Sequence, residues 1–597
     1  MITFKIPKKR FASLALIGSL LLSACGSATS SASNSGVKVK GGTATWAELP
    51  AAAPNWIFPF MSLAHFSVQN INEFQYLMFR PLYYFGKGVQ PTLNTSLSTA
   101  NKPVFSNGNK TVTITMKGWK FSNGDPVDAK SVEFWMNMMK AEKSNWAAYV
   151  PGAFPDNVAS YKVTGPNTIV FNLTKSYSPK WFTYNELSQI TPLPAAWDRT
   201  SLSSPPGNTA MTVAGAKAVY SFLRSQAKNI STYATNPLWQ VVDGPWRLQS
   251  FSSNGPITFV PNKNYSGSPK PTLSKFIEEP FTTSSAEFNV LRSGGLDVGY
   301  IPRSDITQKA TLSSQGYVFD PIPQWGFVYV PYNFKNPTMG PVFNQLYIRQ
   351  AIQHLVNQPG YIKAFLAGDA SPTYGPIPIN PKNPFIPSGE KSNPYPYSVS
   401  SAKTLLVKHG WKVVPNGITT CIKPGSGPGE CGPGISAGTK LAFSLQYASG
   451  STSAKQEMDS LRSTASKVGI QIALTSAPFQ TVIGNATPTN PNWQMEFWGA
   501  GWVYAPDYYP TGGELFATGA GSNSGSFSNP TNDANIKATH HHSSALGTYA
   551  NYLVKNLPVM YLPTPNNPLS EVKGTLHGVV PQSSLSELTP ENWYFTK

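Results

Sequence analysis

Residues 493–510, WQMEFWGAGWVYAPDYYP, carry seven aromatic side chains (Trp493, Phe497, Trp498, Trp502, Tyr504, Tyr508 and Tyr509) and no lysine or arginine. Their acids are Glu496 and Asp507, in a chain whose formal charge is +18. Flat rings around a scarce acid, with a flexible Gly499-Ala500-Gly501, suit a cleft that receives a ligand's backbone, its apolar groups and an amine. The same pattern suits a buried aromatic strand. This stretch by itself leaves both readings open.

Other chemistry finds little support. His540, His541 and His542 are consecutive, and neighbouring side chains diverge too much to chelate one ion from a single helix or strand. His65, His354 and His409 stand alone on helix-like segments. There is no H-E-x-x-H helix or phosphate-binding G-K-[ST] loop. Asp243 and Asp297 are the nearest thing to a carboxylate pair for glycoside hydrolysis. The chain therefore reads as a binding protein and not an enzyme, with no metal or cofactor.

The start of the chain sets a compartment. Lys5, Lys8, Lys9 and Arg10 precede the apolar run 11–22, which is too short to span a membrane and is laid out as a secretory signal. Leu22-Ser23-Ala24-Cys25-Gly26 resembles the lipobox of bacterial lipoproteins, which implies cleavage after residue 24 and a lipid on Cys25. Residues 25–40 form a Ser/Gly/Ala tether. Removing the four leader cations leaves about +14, but the remaining Lys and Arg are scattered. That pattern argues against nucleic acid and allows a weak attraction to an anionic membrane. Scarce charge with abundant Asn, Ser, Thr and aromatic residues would suit acidic surroundings. Cys421 and Cys431 bracket a Gly/Pro loop, and in an oxidising exterior a local disulfide is the natural reading.

The folded body is too long for one core, so two or three lobes are expected. Val112, Ile114 and Met116 alternate as on a strand; a turn follows, and Asp128 is placed to cap a helix with Val132, Trp135, Met136 and Met139 on its apolar face. Ile71, Phe74, Leu77 and Met78 predict a core helix over 68–79. Trp56, Phe58 and Phe60 lie in a Pro-rich loop, pinned to the core or lining a site. The spacing over 441–474 predicts strand, helix, strand, and 400–411 a short helix ended by Gly410.

The run TVTITMKGWKFSNGDPVDAKSVEFW resembles the signature of the family 5 extracellular solute-binding proteins, the peptide and nickel binders of ABC importers. Further segments resemble that family in its order: VDGPWRL at 242–248, PNKNY at 261–265, the stretch 284–299, IRQAI at 348–352, GPIP at 375–378, SSAKTLLVKHGW at 400–411 and WGAGW at 498–502. In detail the chain is similar to actinobacterial-type members. The resemblance implies an α/β fold of the periplasmic-binding-protein-like type II, cluster C, with two main lobes, an inserted lobe and a hinged cleft. The expected division is 41–74, 230–324 and 555–597 for the first lobe, 75–229 for the inserted lobe and 325–554 for the third. Trp56, Trp325, Trp498, Gly499, Ala500, Gly501, Trp502, Tyr504 and Asp507 are the candidate cleft residues, with Trp502 foremost. The implied protein is a monomer held at the outer face of the cytoplasmic membrane by its lipid, passing an oligopeptide or another small solute to membrane permease subunits. An oligosaccharide binder, a nickel or haem carrier, and a lipoprotein sensor without a transporter are the alternatives. In one place the chain departs from the family: peptide binders carry an aspartate for the ligand's α-amine three residues after the second Trp of WGAGW, where this chain has Ala505.

Overall fold

The computed structural model describes residues 37–597; the leader, Cys25 and most of the tether lie outside the described residues. The largest sheet has seven strands, in the order Trp246–Ser250, Ile257–Pro261, Lys275–Glu279, Thr43–Ala47, Val298–Tyr300, Ser570–Lys573 and Tyr317–Phe319. Its middle three are parallel and the rest antiparallel. Asp297, one of the two carboxylates weighed for catalysis, serves this sheet. It accepts hydrogen bonds from Thr45 N and Oγ1 at 3.0 and 3.1 Å. Asp243 likewise accepts from the backbone of Arg80 at 2.9 Å.

Residues 104–227 build a separate antiparallel sheet of Val104–Ser106, Thr111–Thr115, Thr168–Leu173 and Val158–Gly165. The helix Ala129–Glu142 packs on it, begun by an Asp128–Ser131 capping box, and the helix Val213–Ala227 packs on that helix. Trp135, Trp146 and Tyr220 close around Phe60, whose ring centroid is 5.0–5.5 Å from each of theirs. Trp56, Phe58 and Phe60 are all buried, so the Pro-rich loop is pinned to the core.

Over 68–79 the chain is helical, but Gln69–Gln75 winds as a π-helix and only Tyr76–Met78 as α. The apolar stripe assumed one wet face, and this segment has none. Its polar side chains turn instead to the preceding loop: Asn70 Oδ1 accepts from the amides of Asn55 and Trp56, and Gln75 Nε2 donates to the carbonyl of Trp56. π-Turns of this kind are frequent beside functional sites.

The third group of elements centres on a parallel sheet, Gln471–Ala477, Ala442–Ala448 and Met495–Phe497, with the helix Thr452–Ser466 crossing between the first two. The chain leaves the large sheet through Tyr329–Pro331 and returns through Val559–Tyr561, and these two passes pair antiparallel. Cys421 and Cys431 are joined by a disulfide, with their Cα atoms 6.2 Å apart. Among the described residues no helix is long and apolar enough to cross a membrane.

Candidate functional site

The carboxyl ends of the two sets of parallel strands face each other across a cleft, the place where open sheets bind ligands. One side is formed by the turns after Thr43–Ala47 and Val298–Tyr300, the other by the ends of the three strands of the smaller sheet. The sides touch where Ser284 N donates to Gly450 O at 3.4 Å. Between them lies a cavity of about 230 Å³, and a second of about 70 Å³ continues past Phe479, Trp498 and Ala500, which line both.

The two compartments differ in chemistry. The larger receives the N-termini of two helices, Ser284–Arg292 capped by Thr283 and Thr452–Ser466 capped by Ser451. Free first-turn amides make such ends electropositive. Arg303 lines the same compartment. Its Nη2 donates to Asn566 O and lies 3.7 Å from Asp369 Oδ2, whereas its buried Nε has no partner. Burial pulls its pKa down, opposed by Asp369 and Glu457. The smaller compartment is apolar, walled by Phe66, Ile71, Tyr329, Trp498, Trp502 and Ala505 among others. Trp498 stands edge-on to Tyr329 at 5.3 Å between centroids, and the Trp502 ring is 5.8 Å from that of Phe66.

The aromatic stretch is not one cleft strand. Met495–Phe497 ends in the parallel sheet, and Trp502–Val503 pairs with Gly326–Phe327 beside the crossing passes. Between them the chain turns through Gly499 and Gly501, at φ +87° and +72°. A Cβ on Gly501 would collide with the carbonyl oxygen of Phe327, and one on Gly326 with that of Trp502. Trp498 Nε1 braces the turn by donating to Gly501 O at 2.7 Å. The main-chain groups of Gly499 and Ala500 make no hydrogen bond among the described residues, and both residues line the larger cavity.

Of the residues expected from sequence, Trp498, Gly499, Ala500, Gly501 and Trp502 come together on the two compartments. The structure places the other four away from both. Trp56 stacks on His65 at 4.2 Å and donates to Phe60 O. Trp325 is buried with Nε1 donating to Tyr508 O at 2.9 Å, and the Tyr504 hydroxyl donates to Pro376 O at 2.8 Å. Asp507 has no exposed surface, and burial followed by the charge of Glu514 pushes its carboxyl well above the usual range. These side chains hold the cleft from behind: the polar tips of Trp56, Trp325 and Tyr504 find partners inside the protein, and Asp507 is buried. Sequence reasoning missed Arg303 and the two capped helix ends. Their signal was present in Thr282-Thr283-Ser284-Ser285 and Ser451-Thr452-Ser453, hydroxyl runs just ahead of helical spacing.

Among the described residues no group of three His, Cys, Asp or Glu could hold a metal ion. His540 instead stacks on Trp181 at 3.9 Å, and His541 stacks on Tyr177.

Two sheet-based halves, linked by paired passes and enclosing a cleft at their strand ends, define a solute-binding protein of the type II periplasmic class. More closely, the chain belongs to the bacterial extracellular solute-binding proteins, family 5, whose sequence model (its Middle region) matches residues 90–523. It is 25% identical to Protein XP55 of Streptomyces lividans over 399 residues, 65% of this chain and 60% of that protein, so the match leaves two fifths of the relative uncovered. The oligopeptide-binding protein AppA of Bacillus subtilis, solved with a nonapeptide, superposes with a TM-score of 0.76 at 17% identity, covering 94% of this chain and all of AppA. NikZ of Campylobacter jejuni, solved with Ni(L-His), superposes at 0.68 with 17% identity, covering 92% and 99%. One fold thus serves unlike ligands, and the ligand has to be argued from this cleft's own residues.

Proposed function

We propose that this protein captures a short peptide outside the cell and delivers it to an ABC-type importer, anchored by a lipid on Cys25 at the outer face of the cytoplasmic membrane. The observation that carries the peptide reading is the Gly499–Ala500 turn, whose unpaired main-chain groups face the larger cavity. A peptide backbone supplies matching donors and acceptors, and side chains then fill the adjoining apolar compartment. The two cavities together reach only the low end of the volume range of small-molecule sites, which favours a few residues over a long chain. The ligand touches both halves and so stabilises the closed form, in which Ser284 meets Gly450. That closed form is the one a permease would recognise. The chain acts by binding and not by catalysis, and as a monomer.

Mass spectrometry of the solute that co-purifies, followed by calorimetry with peptides and with oligosaccharides, tests the reading. Co-purified peptides and micromolar peptide binding are expected. Tight binding of cello- or xylo-oligosaccharides with no peptide binding would replace it with a sugar-binding function. Labelling with a radioactive fatty acid, lost in Cys25→Ser, tests the anchor.

A further inference from the structure

The cleft's charges lie on one side of the scale. Among the described residues lining the two compartments, Arg303 alone is charged. Its side chain is 11% exposed, and its Nε lies buried without a hydrogen-bond partner. Asp369 and the buried Glu457 act on it from outside the cavity lining, and Asp369 Oδ1 already accepts from Asn566 Nδ2 at 2.8 Å. The amides of Ser285, Thr452 and Ser453, at the two helix ends, have no acceptor among the described residues, and neither do the hydroxyls of Ser285 and Thr452. The Arg303 guanidinium on the cavity wall and the two helix ends together favour an anion, since each donates to it.

Among the described residues no acid lines either compartment. Ala505 presents a methyl group to the apolar one, at the position where the family resemblance calls for an aspartate. Asp507 and Glu496 are buried and line neither. An ammonium group placed on the aromatic walls would lose its water with no counter-charge lining the compartment.

We infer that the cleft selects an apolar carboxylate that carries no ammonium group, with the carboxylate between Arg303 and the two helix ends and the uncharged body against Trp498 and Trp502. This rests on the peptide reading only for its choice of ligand, a peptide whose amino end is blocked.

The test is calorimetry on the mature chain with the peptide Leu-Ala-Val-Leu in free, N-acetylated, C-amidated and doubly blocked forms, and with 4-phenylbutyrate, a carboxylate without peptide bonds. The acetylated acid is expected to bind about tenfold or more tighter than the free-amine peptide, and amidation to weaken binding about as much. Arg303→Gln abolishes the difference between acid and amide. Ala505→Asp turns the preference toward the free amine, an outcome that does not depend on the folding of the Arg303 variant. Equal or tighter binding of the free-amine peptide by the unaltered protein, or an acid–amide difference that survives Arg303→Gln, overturns the inference. If no form of the peptide binds but 4-phenylbutyrate does, and only with Arg303 present, the peptide reading fails while the charge assignment stands. If neither binds in an Arg303-dependent way, the charge assignment fails.

Discussion

Gly501 and Asp507, six residues apart, show how side-chain size and burial decide what the cleft can do. At Gly501 the positive φ and the nearness of Phe327 O leave no room for a Cβ. Gly501→Ala is expected to destabilise the fold by about 2–4 kcal/mol in urea unfolding, because strain and collision add. Weaker ligand binding should accompany it, since the turn carries Gly499 and Ala500. Asp507 is the opposite case, a carboxyl that sequence alone brings to the ligand and that the structure hides. Asp507→Asn should leave the affinity for a free-amine peptide unchanged in calorimetry; a loss of a few kcal/mol would show the carboxylate reaching the ligand. Far from the cleft, Arg80 and Glu591 form an ion pair with no exposed side-chain surface, and Glu591 has one oxygen without a partner. Glu591→Gln is expected to cost about 3–5 kcal/mol of stability, because the guanidinium then stays buried without its counter-charge.

Elements with a local cause were legible in the sequence. Asp128 opens its helix because its side chain accepts from Ser131 N at 3.0 Å, a bond between near neighbours that residue types alone suggest. Asp128→Ala should lower the denaturant midpoint by an amount equivalent to about 1 kcal/mol with an unchanged slope. The strand–helix–strand unit over 442–477 and the helix Val399–Lys408, followed by Gly410 at φ +76°, were likewise readable from periodicity and stop signals. What failed to show was anything set by distant partners. The π-helix at Gln69–Gln75 is accompanied by bonds that Asn70, accepting from loop amides, and Gln75, donating to the Trp56 carbonyl, make only in the folded chain. Trp325, Tyr504 and Trp502 look alike as aromatic residues beside Gly and Pro. Only the tertiary positions of Tyr508 O, Pro376 O and Phe66 separate the two that are bound into the core from the one at the cavity. Arg303 was missed for the same reason. Nothing near it in sequence brings it to the helix ends 452–454.

On the scale of the whole molecule the notable feature is how many carboxyl groups are buried deeply enough that desolvation outweighs any nearby cation. Burial raises Glu48, Glu287, Glu390, Glu457 and Glu496 to about 8, helped at Glu48 by Glu279, and raises Asp243 and Glu571 to about 7. Glu73, Glu186, Glu278 and Glu587 are pushed up further by burial, the first three with help from neighbouring acids. A group whose folded pKa lies above its unfolded value binds its proton more readily in the native state. Its stabilising effect is complete below about pH 4 and is lost as pH rises through 7 to 8. Three histidines act in the other direction. Burial lowers His65 to about 4 and His540 to about 3, and also pulls His409 down, so each favours the fold above the ordinary histidine pKa and withdraws that support in acid. Between pH 4.5 and 6.5 both sets titrate differently in the two states, and the carboxyls outnumber the histidines several-fold. The net slope there is therefore negative, and above pH 6.5 the carboxyls act alone. Scanning calorimetry from pH 4.5 to 8.5 should accordingly show the melting temperature falling throughout, by about 5 °C or more overall, most steeply between about pH 6 and 7, where the native carboxyls still hold protons that the unfolded chain has released, and levelling off above pH 8. A flat or rising profile would mean that these carboxyls find water or cations in solution. A falling profile would match the acidic surroundings that the chain's scarce charge suits, because the fold would then be firmest where the protein works.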